Sequence, residues 1–140
     1  MPHISVIIPV YNAGNYIVDT LNSVLQQTLK DIEVIVVNDG SNDQSLVECY
    51  RLQEIDKRII IINQDNQGVS KARNVGKQNA TGDYIIFIDA DDELDCRMLE
   101  ILYTQARKTD SDISVCGVDR IFEKKQEEKK KYHCNYEEIT

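Results

Sequence analysis

The sequence predicts an α/β fold, a three-layer α/β/α sandwich around a mostly parallel central sheet, and three observations lead there. Short Val- and Ile-rich runs alternate along the chain with stretches whose apolar residues recur at helical spacing. The runs are apolar on nearly every residue, the pattern of strands covered on both faces. Each is followed by a polar cluster rich in Asn, Asp or Gly, consistent with right-handed crossovers between parallel strands.

The elements follow in order. Ile4-Ser5-Val6-Ile7-Ile8-Pro9 reads as a first strand, stopped by a proline that has no N–H for a ladder. Asn12, Gly14 and Asn15 make a turn, and Ile17, Leu21, Val24 and Leu25 then share one helical face. Glu33 to Asn38 is a second strand, and the turn cluster Asp39-Gly40-Ser41-Asn42-Asp43 leads into a helix reaching about Ile55. Arg58 to Asn63 forms a third strand. After the loop at Gly68, a short helix is marked by Val69, Ala72, Val75 and Ala80. Thr81-Gly82-Asp83 turns into a fourth strand, Tyr84 to Ile88. Leu94, Met98, Ile101 and Leu102 stripe a fourth helix, and Asp112 to Val118 reads as a fifth strand. Beyond it, Arg120-Ile121-Phe122 and Tyr132-His133-Cys134 flank a highly charged stretch, which reads as an exposed hairpin.

At 140 residues the chain fits one domain with a real core, and 41% apolar with 29% charged residues is a globular composition. Runs such as Ile4 to Val10 fall far short of the roughly 20 apolar residues of a membrane span. No basic region precedes an apolar stretch at the N-terminus, so a cleaved signal peptide is not expected. A formal charge of −8 argues against a nucleic-acid surface, which depends on Lys and Arg. Cys49, Cys96, Cys116 and Cys134 are too scattered for a zinc site and read as reduced thiols of a cytoplasmic protein.

Asp89-Ala90-Asp91, with Asp92 behind it, closes the apolar run Tyr84 to Ile88. Carboxylates gathered at the end of a buried strand cost free energy unless a cation or a hydrogen-bonded ligand compensates them. Hard oxygen donors suit Mg²⁺ or Mn²⁺. Taken alone, the residues also fit an Asp-rich turn in which Asp91 or Asp92 caps the helix starting near Leu94. The topology adds weight to the first reading, because ligands of open parallel sheets sit beyond the carboxyl ends of the strands. Pro9-Val10-Tyr11-Asn12, Asn38-Asp39-Gly40-Ser41, Asp65-Asn66-Gln67-Gly68 and Asp89-Ala90-Asp91-Asp92 each follow a different strand, so all four should meet at one edge.

Four stretches in this order, Ser5 to Asn12, Glu33 to Ser41, Asn66 to Asn74 and Gly82 to Asp92, resemble family 2 of the inverting nucleotide-sugar glycosyltransferases, with the GT-A fold and its Rossmann-like nucleotide-binding half. The resemblance implies transfer of a sugar, with inversion, from a nucleotide-sugar donor, a UDP-sugar by expectation, to an acceptor hydroxyl. It places Asp39 against the base, where a carboxylate could accept the N3–H of uracil. Pro9, Val10 and Tyr11 would wall the base. Gly68 would allow close backbone approach, and Arg73 would reach the nucleotide edge of the site. Asp89 would face the ribose hydroxyls or the metal shell, Ala90 would line the nucleotide-sugar site, and Asp91, with Asp89 and Asp92, would hold Mn²⁺ or Mg²⁺ against the diphosphate. The acceptor would be a glycan or a lipid-linked chain in polysaccharide biosynthesis, met in the cytoplasm or at the inner face of the membrane.

The resemblance also sets an expectation about extent. Residues 1–118 would be the nucleotide-sugar-binding core of one GT-A domain, and 119–140 a hairpin and the start of the acceptor half. The general base of such enzymes lies well past the D-x-D, and no residue up to Thr140 matches it, so the chain reads as the donor-binding portion of a larger transferase. Two alternatives belong to other classes: a non-catalytic nucleotide-binding module, and a different Mg²⁺ enzyme on a similar sheet, such as a phosphatase or receiver domain. The Asn66 to Asn74 segment fits the latter poorly.

Overall fold

The computed structural model describes residues 1–120. Its elements are β1 (Ile4–Val10), α1 (Ile17–Leu25), β2 (Ile32–Asp39), α2 (Ser45–Ile55), β3 (Ile59–Gln64), α3 (Val69–Asn79), β4 (Tyr84–Phe87) and α4 (Met98–Thr109). All strand pairings are parallel, in the order β3-β2-β1-β4. The two central strands, β2 and β1, are buried along nearly their whole length.

Alternation within β1 and β2 builds two cores. Ile4, Val6, Ile8 and Val10, with Val34 and Val36, pack against Ile17, Leu21 and Val24 of α1, Cys49 and Leu52 of α2, and Leu99 of α4. Ile7, Ile35 and Val37 face the other way and pack against Ala72 and Val75 of α3. The predicted sandwich is therefore present, with α3 the one described helix on its second face. The α3 helix lies close to the sheet because Gly76 has no side chain: a Cβ there would stand 2.3 Å from Cγ2 of Ile7.

A polar hook fixes the sheet at the amino ends of its strands. Oε1 of Glu33 accepts hydrogen bonds from the Ser5 hydroxyl and from the N–H and hydroxyl of Thr81, while the Gly82 N–H donates to Ser5 Oγ. Burial alone would raise the Glu33 carboxyl, but these donors together hold it below the usual range. The foot of β4 is thereby tied to both β1 and β2.

Two expectations are corrected. The fourth helix begins at Met98 instead of near Leu94, with Arg97 at its N-cap and no side-chain capping bond. Leu94 instead lies in the preceding loop, buried, its N–H bonded to Ser23 Oγ. Residues 112–118 form no strand, and Ile113, Val115 and Val118 are 79%, 84% and 88% exposed. Alternating apolar residues become a strand only against a ladder partner, and none of the described residues supplies one there. The hairpin expected across 120–134 lies outside the described residues, apart from Arg120. No described helix is long and apolar enough to cross a membrane. Among the described cysteines, Cys49 is buried, and burial, with Glu48 and Asp43 nearby, pushes its thiol up to about 12.

Candidate functional site

Parallel pairing brings the carboxyl ends Val10, Asp39, Gln64 and Phe87 to one edge of the sheet. The chain winds outward from β1 through β2 to β3, then returns to place β4 on the other side of β1. The crevice beyond β1 is thus the switch point at which such sheets hold ligands. A cleft of about 280 Å³ opens there, lined by Pro9, Val10, Tyr11, Asp39, Asn66, Gly68 and Val69. Five residues singled out from the sequence, Pro9, Val10, Tyr11, Asp39 and Gly68, therefore line one cleft. Tyr11 is half-exposed at its mouth.

Asp39 ends β2 and is only 4% exposed. Its Oδ1 accepts hydrogen bonds from Gln64 Nε2 at 2.8 Å and from the Gln67 N–H at 2.8 Å, and its Oδ2 accepts from the Gly68 N–H at 3.0 Å. Burial works to raise its carboxyl, but the three donors outweigh it and hold the group below the ordinary carboxylate range. Gly68 can present its N–H because it adopts φ +94° with ψ 159°, a combination open essentially to glycine alone and costing a side-chain-bearing residue about 1–3 kcal/mol. Gly40 follows Asp39 at φ +75°, and a Cβ there would come within 2.8 Å of the Asn66 N. The loops after β2 and β3 can close on Asp39 only with glycine at that position.

The loops after β1 and β2 are also joined. Asn12 N–H donates to Ser41 Oγ, Asn42 N–H to Asn12 Oδ1, and Ala13 N–H to Ser45 Oγ. Asp43 accepts from the Gly14 and Ser45 N–H groups and from the Ser45 hydroxyl. Burial opposes its ionisation, yet these bonds keep the Asp43 carboxyl below its usual range.

On the β4 side, Asp89, Asp91 and Asp92 each bring a carboxylate oxygen within 4.8 Å of the others, and all three residues are exposed. The carboxyl of Asp92 is raised, first by burial and then by the charges of Asp91 and Asp89. Such a set of hard, mutually repelling oxygens fits Mg²⁺ or Mn²⁺. Neither Asp91 nor Asp92 caps α4, so the helix-capping alternative fails. Arg73, on α3, reaches this cluster: its guanidinium donates to Asp89 Oδ1 at 2.9 Å, while its Nε is buried without a hydrogen-bond partner among the described residues. Ala90 lies beneath this cluster. Its side chain belongs to the apolar core and its carbonyl accepts the Thr20 hydroxyl, so it holds the acidic turn down from beneath.

Sequence reasoning left Gln64, Asn66 and Val69 without roles. Asn66 and Val69 lie in a stretch that carries the family resemblance, which was the signal available for them. Gln64 falls one residue past the expected third strand, and nothing in the sequence marked it; the observed β3 runs on to include it.

The family model of glycosyl transferase family 2 matches residues 5–139. Among curated proteins, the chain is 46% identical over 112 residues to glycosyltransferase GlyA of Streptococcus pneumoniae, covering 80% of this chain and 16% of that protein. It is 39% identical over 113 residues to GlyG of the same organism, covering 80% of this chain and 38% of the relative. The chain thus spans well under half the length of these relatives. Among solved structures, S. aureus TarS in complex with UDP-GlcNAc aligns with a TM-score of 0.73 at 29% identity, over 86% of this chain and 37% of TarS. The mannosyltransferase PcManGT from Pyrobaculum calidifontis, in complex with GDP-Man and Mn²⁺, aligns with a TM-score of 0.64 at 27% identity, over 69% and 29% of the two chains. The sheet order, the strand-end cleft and the sequence match agree: the chain belongs to glycosyl transferase family 2.

Proposed function

We propose that the protein transfers a sugar from a UDP-sugar to a hydroxyl of a glycan or lipid-linked acceptor, with inversion and with a divalent cation. In this reading residues 1–118 form the donor-binding core and the acceptor half begins within 119–140. The observation that carries it is the pairing, at one sheet edge, of an ionised strand-end carboxylate in a cleft with an acidic cluster across the switch point. The complexes of TarS with UDP-GlcNAc and of PcManGT with GDP-Man and Mn²⁺ support the donor class and the cation.

Each group has a task. Asp39 accepts the ring N–H of the base, between the wall of Pro9, Val10 and Tyr11 and the loop at Asn66 and Gly68. Asp91, with Asp89 and Asp92, would hold Mg²⁺ or Mn²⁺, which when bound supplies charge neutralisation for the departing nucleoside diphosphate. Arg73 orients Asp89 through its guanidinium and offers the donor edge a further positive charge. Ala90 and Thr20 keep the acidic turn in place, so that its carboxylates need little reorganisation when the donor binds.

Titration calorimetry with UDP tests this reading. UDP should bind in the presence of Mn²⁺, bind at least about tenfold more weakly in chelator, and lose that difference in Asp91→Ala. Equal affinity with and without the cation would overturn the metal-assisted donor site.

A further inference from the structure

We propose that Gln64 is a specificity-determining positioning residue, which fixes Asp39 as a pure acceptor so that the cleft selects nucleoside diphosphates whose base carries a ring N–H. This rests on the donor-site reading above and extends it to base choice. An ionised carboxylate has about four lone-pair positions and no proton to give. The Gln64 amide and the Gln67 and Gly68 N–H groups occupy three of them, leaving acceptor capacity for one more donor.

Base choice follows from that remaining capacity. Uracil N3–H and guanine N1–H are donors and can meet the carboxylate. The corresponding ring nitrogens of cytosine and adenine are acceptors, so they would set a lone pair against a buried anion. A polar site built for a donor rejects the analogue lacking it, because its own group is left unpaired.

Of the three donors, two are backbone groups held by the Gly68 turn, so only Gln64 contributes through its side chain. Its position is set by pairing, since Asp39 and Gln64 are register partners on β2 and β3. Among the described residues no cation pairs with Asp39, and Tyr11 is the one other titratable side chain on the cleft wall. The hydrogen bonds therefore set the protonation of Asp39, with no counter-ion to do so.

Binding of UDP and CDP, measured by calorimetry with Mg²⁺ at pH 5.5 and 8.5, tests the inference. The ratio of the two affinities cancels the protonation of the diphosphate that both ligands share. The native protein should favour UDP by at least about tenfold at both pH values. Gln64→Glu places a second carboxylate against Asp39 Oδ1, and such a pair retains a proton at the lower pH. Its preference should fall about tenfold at pH 5.5 and recover at pH 8.5. Gln64→Leu should weaken UDP binding at both values without restoring CDP. A Gln64→Glu protein with a native melting temperature and a native preference at pH 5.5 would overturn the assignment. If the variants fail to fold, a native protein that binds CDP as tightly as UDP would overturn it as well. If the native protein binds neither UDP, CDP nor GDP, the donor-site reading itself is wrong.

Discussion

Replacing Gly76 by alanine sets two effects against each other, and the structure decides between them. In an exposed helix the change is favourable by about 1 kcal/mol, because alanine loses less backbone entropy than glycine. Gly76 is instead pressed on the sheet: the added Cβ would lie 2.3 Å from Cγ2 of Ile7 and 3.4 Å from its Cβ and Cγ1. Ordinary carbon contacts need roughly 3.5–4.0 Å, so α3 or Ile7 must give by more than 1 Å. Ile7 has little freedom, being β-branched, fully buried and in the centre of a strand paired on both sides. Overpacking of this kind costs about 1–3 kcal/mol, and the clash is severe enough to take the upper part of that range. After the helix gain, a net loss of about 1–2 kcal/mol remains, or roughly 3–7 °C in melting temperature for a chain of this size. The same shift would move α3 with Gly68 and Arg73, so UDP affinity should fall together with stability. Scanning calorimetry and a urea titration of Gly76→Ala provide the check. A melting temperature equal to or above that of the native protein would show that α3 does not sit on β1 as described.

Asp39→Ala leaves the Gln67 and Gly68 N–H groups without their acceptor, so unfolding free energy should fall by about 1–3 kcal/mol and UDP binding should be lost, measured by urea denaturation and calorimetry. Arg73→Ala releases Asp89 from an exposed ion pair and should tighten Mn²⁺ binding by no more than about fivefold while weakening UDP, as read by calorimetry with each ligand alone. Acid should destabilise the protein in a defined direction. Glu33, Asp39 and Asp43 have folded-state values below their ordinary 4.5, 3.8 and 3.8, so their contribution is complete above about pH 5 and is lost as pH falls through the depressed folded values. Asp92, shifted upward, offsets part of that loss. Urea midpoints at pH 7, 5 and 3 should show a plateau followed by a fall, and Glu33→Gln should shrink the fall.

The elements legible in the sequence were those whose pattern follows from burial. Ile4 to Pro9 and Glu33 to Asn38 are apolar enough to be strands covered on both faces, and of the α1 stripe Ile17, Leu21 and Val24 are buried, with Leu25 partly so. The segment 112–118 has the same local character, but whether it pairs depends on a neighbour that its own composition does not encode. The site was legible as a set of loops and not as a set of bonds. That Asp39 follows a strand could be read directly; that three donors from the end of β3 and the start of α3 surround it depends on the positive-φ turn at Gly68 and the glycine contact at Gly40. The Arg73 contact with Asp89 likewise required α3 and β4 to be placed on the sheet. Ala90 shows the same limit: its place inside a D-x-D is legible in the sequence, whereas the burial of its methyl in the core and the bond from the Thr20 hydroxyl to its carbonyl are not.

The hook at Glu33 has a consequence for which sequence changes the strand can absorb. Glu33 and Asp39 are separated by an even number of positions, so both project toward the α3 side, while Asn38 projects oppositely and meets Asn63. Inserting or deleting one residue between them, with Glu33 still anchored, would turn the Asn38 amide toward the cleft and carry the carboxylate to the far side. The length of β2 is therefore itself part of the recognition apparatus, and lineages that vary freely in the surrounding loops should hold that spacing constant.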